Sequence, residues 1–170
     1  MAQAEDVHNA NFDSGAEARP TGSAKPAGDP GRRAFIGGSD ARIMMGEDEG
    51  ALLQLWREKR GEAVPKDLSS NLIVQLGVVT EPLNRQWFER NTGQTLKDVQ
   101  SWVRHPVNKW MAATLDGVVA GTGAVFEAKF MLPWSFSEEG AAEKYMAQLQ
   151  RNMCTAHFLK DTVMSFLEHR

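Results

Sequence analysis

Cysteine is almost missing from this 170-residue sequence, with Cys154 standing alone. A single thiol can neither close an intrachain disulfide nor supply a thiolate metal cluster, which favours a reducing, cytoplasmic setting and predicts Cys154 in the core. No apolar run reaches the ~20 residues of a membrane span. The N-terminus carries acids where an export signal needs a basic start and an apolar stretch, so neither a membrane nor export is expected. A surplus of positive charge is lacking too: the net charge is −3. Residues 1–31 hold five of the 22 acids and two of the 19 bases, which leaves residues 32–170 with 17 of each. Charge alone therefore neither announces nucleic acid nor excludes it.

Large apolar residues are scarce in residues 1–31, which are rich in Ala, Gly, Pro, Asp and Ser. Such a stretch cannot repay the entropy of folding and is expected to be a disordered tail. The rest, 32–170, is long enough for one domain with a real core. A composition of 42% hydrophobic and 24% charged residues is that of an ordinary soluble domain.

Along that domain, Ser39-Asp40 reads as a helix cap before a short helix over 41–45, ended by Gly46. A second helix is predicted over 50–59, with Leu52, Leu53, Leu55 and Trp56 as its packing positions and Gly61 closing it. A longer helix over 70–91 places Leu72, Gln75, Leu76, Val79, Leu83 and Trp87 at helical spacing, with Gly93 as its cap. Pro82 inside it should kink or restart the helix beside Glu81. That acid has two readings: a surface pair with Arg85 four residues on, or a site carboxylate. Segments 96–103 and 111–115 read as strands around the turn at His105-Pro106, where the histidine is expected to serve the turn. The loop 133–140 carries Trp134 and Phe136, too apolar to be idle in solvent. A helix over 141–155 follows, and 162–167 reads as a last strand.

The informative stretch is Asp116-Gly117-Val118-Val119-Ala120-Gly121-Thr122-Gly123-Ala124-Val125-Phe126-Glu127-Ala128-Lys129. It predicts strands over 118–120 and 124–129 joined by a glycine turn. Side chains alternate along a strand, so Glu127 and Lys129 share one face while Phe126 and Ala128 take the other. Asp116 lies at the far end of the same hairpin. Two carboxylates converging there would suit Mg²⁺ or Mn²⁺, and a neighbouring lysine can orient or deprotonate an attacking water.

The pattern Asp, ten residues, Glu-x-Lys resembles the core of the PD-(D/E)XK nuclease superfamily. The flanks Ile36-Gly37-Gly38-Ser39-Asp40, Gly77-Val78-Val79-Thr80-Glu81-Pro82 and Tyr145-Met146-Ala147-Gln148-Leu149-Gln150 narrow it. In that order they resemble the YqaJ-like viral recombinase family, to which the lambda exonuclease is related, over roughly residues 32–167. The resemblance implies an α/β fold, a small mixed central sheet flanked by helices. It implies a Mg²⁺- or Mn²⁺-dependent deoxyribonuclease, an exonuclease on linear double-stranded DNA ends in phage-type recombination. Asp116, Glu127 and the Ala128 carbonyl would hold the metal. Lys129 would position the water, Glu81 would assist the metal or its water, and Gln148 would orient the phosphate. Ser39 and one of Arg32 and Arg33 would contact a DNA phosphate. The lone cysteine excludes the iron-sulfur members of the superfamily.

Partners of the kind implied are DNA, a single-strand annealing protein and further copies of the chain. Thr114-Leu115 stands where relatives commonly carry Ser-Pro. Relatives also continue past the last strand, so the domain is expected to be either a compact member or C-terminally incomplete. The alternative reading is a catalytically inactive DNA-binding or assembly module that keeps the fold. Deleting residues 1–31 should leave the melting temperature nearly unchanged in a thermal melt, and a large drop would show that the tail docks on the body.

Overall fold

The computed structural model describes residues 30–132, 136–156 and 161–167. A short helix α1, Pro30–Arg33, leads into α2, Gly38–Met44, and α3, Glu49–Arg60. Then come the long helix α4, Leu72–Thr92, and the strands β1, Leu96–Lys97, β2, Ser101–Arg104, β3, Ala112–Leu115, β4, Gly117–Val119, and β5, Val125–Phe130. Helix α5, Glu138–Ala156, and strand β6, Thr162–Leu167, complete the order. Trp134 of the predicted loop and nearly all of the tail lie outside the described residues.

Four strands form a mixed sheet in the order β1-β4-β5-β6, with β5 and β6 parallel and the other neighbours antiparallel. Strands β2 and β3 form a separate two-stranded sheet. The predicted hairpin is β4–β5, with Val118 opposite Val125 and Gly117 opposite Phe126. Its turn uses Gly123 at φ 76°, a left-handed conformation that favours glycine. The segment 96–103, expected as one strand, is two. Asp98 and Gln100 both adopt positive φ and break it, sending β1 to the large sheet and β2 to the small one. His105 serves its turn as expected, its Nδ1 accepting the N–H groups of Val107 and Asn108 at 3.1 and 2.9 Å.

Alternation along β5 separates two packed faces. Phe126, fully buried, meets Phe88 of α4 at 4.9 Å between ring centroids, joined by Leu96, Val119 and Ala124. On the opposite face Val125 packs with Ala113, Leu115 and Val118, with Met153 and Ala156 of α5 against them. Tyr145 and Leu149 of α5 pack with Met131 and Ala141, joined by Phe136, Met164 and Phe166. Phe136 thus packs in this layer, edge-on to Phe166 at 5.0 Å. The sheet lies between α4 and α5, a mixed α/β architecture with helices on both faces.

Several apolar positions lie elsewhere than expected. Leu72, Val79, Leu83 and Trp87 of α4 are exposed, and the residues α4 buries are Asn84 and Phe88. The reason is a polar demand: Asn84 Nδ2 donates to the carbonyls of Ser165 at 2.9 Å and Lys129 at 3.4 Å, joining α4 to β5 and β6. Helix α4 runs through Pro82 without restarting. In α3, Leu55 is buried while Leu52, Leu53 and Trp56 are exposed. Cys154 is exposed as well, on the outer side of α5, and not in the core.

Ser39 and Asp40 do not cap α2; Gly37 does, and Asp40 sits in its first turn with Oδ2 accepting the Gly37 N–H at 2.8 Å. Asp40 is buried, and Lys59 Nζ reaches its Oδ2 at 2.6 Å while also donating to the carbonyls of Phe35 at 2.8 Å and Arg32 at 3.1 Å. Lys59, in the last turn of α3, is therefore an ionic tie from that helix to Asp40 and to the segment before α2. Among the described residues no helix is long and apolar enough to cross a membrane.

Phe126→Ala should cost ~3–5 kcal/mol in urea unfolding, because a fully buried ring leaves a cavity in the packed α4 face. Val79→Ser on the exposed face of α4 should stay within about 0.5 kcal/mol of the parent.

Candidate active site

The site begins where the chain changes sheets. Asp116 is the single residue between β3, which pairs in the small sheet, and β4, which pairs in the large one. Its Oδ2 accepts the N–H of Ala128 at 2.8 Å, just past the end of the β4–β5 register. In a strand the N–H and C=O of one residue leave by the same edge, so the Ala128 carbonyl faces the same side.

One residue earlier on β5, Glu127 is buried, at 2% exposure. Its Oε1 accepts from Lys129 Nζ and from Gln148 Nε2 of α5, both at 2.5 Å. Its Oε2 accepts from Asn152 Nδ2 at 3.0 Å. Lys129 Nζ also lies 4.9 Å from the ring centroid of buried Tyr145. The spacing of Gln148 and Asn152, four residues apart, puts both amides on one face of α5 toward β5. What the sequence did not disclose is that the Asn152 amide is spent on Glu127.

Glu81 stands on α4, and its Oε1 takes donors from Arg85 and Gln100. The pair with Arg85 is the first of the two readings of this acid; its charge also acts on Asp116. The Asp116 carboxyl is pushed up to about 8, by burial first, then by the charges of Glu127 and Glu81, with Lys129 and the Ala128 N–H opposing. Two hydrogen-bonded groups, Asp116 with Ala128 and Glu127 with Lys129 and Gln148, thus lie side by side along β5, with Glu81 within electrostatic reach.

Arg32 and Ser39 are joined to this cluster by a cleft of about 180 Å³, lined also by Asp40, Gln148 and Asn152. Arg32 Nη2 lies 3.4 Å from both Ser39 Oγ and Asp40 Oδ1. Arg33 lines a smaller neighbouring cavity with Glu58 and Lys59, and its guanidinium lies over Gly61 at the end of α3. Of the two arginines, Arg32 is therefore the one that shares a cleft with Gln148.

No set of three His, Cys, Asp or Glu side chains converges on one point among the described residues. The donor set at hand is two crowded carboxylates and a strand carbonyl. It fits a hard divalent ion such as Mg²⁺, which is commonly bound by one or two carboxylates and keeps several waters.

A mixed sheet between helices, with Asp, Glu, Lys and Gln gathered at one strand, defines the class of a PD-(D/E)XK fold. The YqaJ-like viral recombinase domain matches residues 30–158, and the chain belongs to that family. It is 30% identical over 123 residues, 70% of this chain, to the uncharacterized protein YqaJ of Bacillus subtilis (strain 168). The chain spans 38% of the length of that relative. Among solved structures it is similar to the alkaline exonuclease LHK-Exo from Laribacter hongkongensis, with a TM-score of 0.61 at 20% identity, covering 82% of this chain and 71% of that one. The structure of LHK-Exo in complex with dAMP gives the same TM-score and identity, covering 83% of this chain and 72% of that one. At that identity the likeness is one of fold.

The Asp116 shift carries a sign that can be measured. Its folded value lies above the ~3.9 of an unfolded aspartate, so the stability it contributes is full below pH ~4 and is lost as pH rises through about 8. In chelator, Asp116→Asn should match or exceed the parent in melting temperature at pH 8, and the advantage should vanish near pH 4. Asparagine keeps an oxygen for the Ala128 N–H, so a lower melting temperature at pH 8 would contradict this account.

Proposed function

We propose that this chain is a metal-dependent deoxyribonuclease that hydrolyses phosphodiesters at the ends of linear double-stranded DNA. The observation that carries the reading is the convergence on β5, where Glu127 binds Lys129 and Gln148 while Asp116 holds the next residue's N–H. Family membership and the exonuclease-like fold support it. In this reading Asp116, Glu127 and the Ala128 carbonyl hold Mg²⁺ or Mn²⁺. Such an ion, when bound, supplies Lewis-acid stabilisation of charge on the phosphate and its leaving group.

The chain's own residues do the rest. Lys129, half-buried between Glu127 and Tyr145, directs its ammonium toward the attacking water and orients it. Gln148 lies between Glu127 and the cleft, where its amide can orient a phosphate oxygen. Arg32 and Ser39, which line the same cleft, bind a backbone phosphate and fix the strand's register. Glu81 assists from α4 through its charge on the metal or its water. Residues 32–170 act as the nuclease domain, and the chain works in phage-type recombination in the cytoplasm beside a single-strand annealing protein, with further copies of itself as a second kind of partner.

The test compares end-labelled linear duplex with closed circular DNA, in Mg²⁺, in Mn²⁺ and in chelator. Release of label from the linear substrate only, and only with the ion, is the expected result. Binding of DNA without cleavage in any condition would instead establish the inactive module. Lys129→Ala should lower cleavage by about 10²–10⁴-fold while DNA binding survives, since the lysine serves the water more than the ion. Normal turnover by that variant would remove Lys129 from the chemistry.

A further inference from the structure

We propose that Asn152 is a positioning residue of this centre, fixing the orientation of the Glu127 carboxylate from the oxygen that Lys129 and Gln148 leave open. Both side chains are buried, each at 2% exposure. Lys129 and Gln148 both donate to Oε1, and Asn152 Nδ2 donates to Oε2 at 3.0 Å. With both remaining donors on one oxygen, the carboxylate could turn about its terminal bond. The third donor stops that rotation. The inference rests on the reading of Glu127 as a metal ligand given above.

The chemistry of the amide fixes which end faces Glu127. An ionised carboxylate only accepts hydrogen bonds, so the NH₂ group must point to it. The amide oxygen is then turned away, and Asn152 Oδ1 is buried without a hydrogen-bond partner among the described residues. An apolar residue of similar size would pack between α2 and α5 without that cost. The asparagine is therefore explained by the bond its nitrogen makes, and not by packing. Being neutral, it orients the carboxylate without cancelling the negative charge that a cation needs.

Gly38 closes the arrangement from α2. A methyl group there would lie 2.4 Å from Asn152 Oδ1 and 3.0 Å from Gln148 Cγ. Only a bare Cα lets the first turn of α2 lie over both amides, so Gly38→Ala must push Asn152, Gln148 or both away from Glu127.

The experiment titrates Mn²⁺ into the full chain by calorimetry and measures the melting temperature in chelator and in Mn²⁺. Asn152→Ala should bind Mn²⁺ about 10–100-fold more weakly, the loss expected when a group orienting a metal ligand is removed. The rise in melting temperature caused by the ion should shrink with it. Gly38→Ala should weaken Mn²⁺ in the same direction, and the double variant should bind no worse than Asn152→Ala alone, because the new methyl group's tightest contact, Asn152 Oδ1, is gone. A purely structural Asn152 would lower the melting temperature equally with and without the ion and leave Mn²⁺ affinity at the parent value, which would overturn the proposal. Simple addition of the two losses would also overturn it. If Asn152→Ala does not melt cooperatively, Gly38→Ala decides alone: weakened Mn²⁺ supports the proposal and parental affinity overturns it. A parent chain that takes up no Mn²⁺ overturns the metal reading itself, a result separable from parental affinity in the variants.

Discussion

A carboxylate buried in the middle of a sheet has to be met by donors, and much of this molecule is arranged around meeting Glu127. Leaving such a charge unpaired costs far more than any single packing contact returns. Lysine two residues on, along the same strand, supplies one donor, and helix α5 supplies two more through Gln148 and Asn152. That demand fixes how α5 lies across β5. Tyr145 and Leu149 then bury their apolar surface in the same layer, so packing and polar satisfaction select one placement.

The other face of the sheet uses a second amide for a related purpose. Asn84 ties α4 to the carbonyls of β5 and β6, and Phe88, one turn on, meets Phe126. Glu81 stands three residues before Asn84 on the same helix. Its distance from Asp116 is therefore governed by the contact that docks the helix. Because α4 turns this mixed polar and aromatic face inward, its aliphatic residues are left outside.

The segment that carries Ser39 is held by charge. Asp40 is buried against Lys59, and Lys59 also takes two backbone carbonyls before α2. A buried pair of this kind contributes little net stability compared with apolar residues, but it allows few alternative geometries. It keeps Arg32 and Ser39 in the cleft that Gln148 also lines.

The hairpin, its turn, the five longer segments of regular structure and the alternation that sets Glu127 beside Lys129 were all legible in the sequence, because period and glycine placement act over a few residues. The break between β1 and β2 was not, since Asp98 and Gln100 take left-handed backbone that neither residue type requires. Nor was the inner face of α4: the spacing of Leu72, Val79, Leu83 and Trp87 describes an apolar stripe, yet the sheet calls for an amide at Asn84 and an aromatic at Phe88. Asn152 and Lys59 are ordinary helix residues until a partner 25 or 19 positions away is brought against them. Local chemistry decided which residues could form a site. Only tertiary packing, which must satisfy each buried charge from wherever a donor can be found, decided how those residues are held.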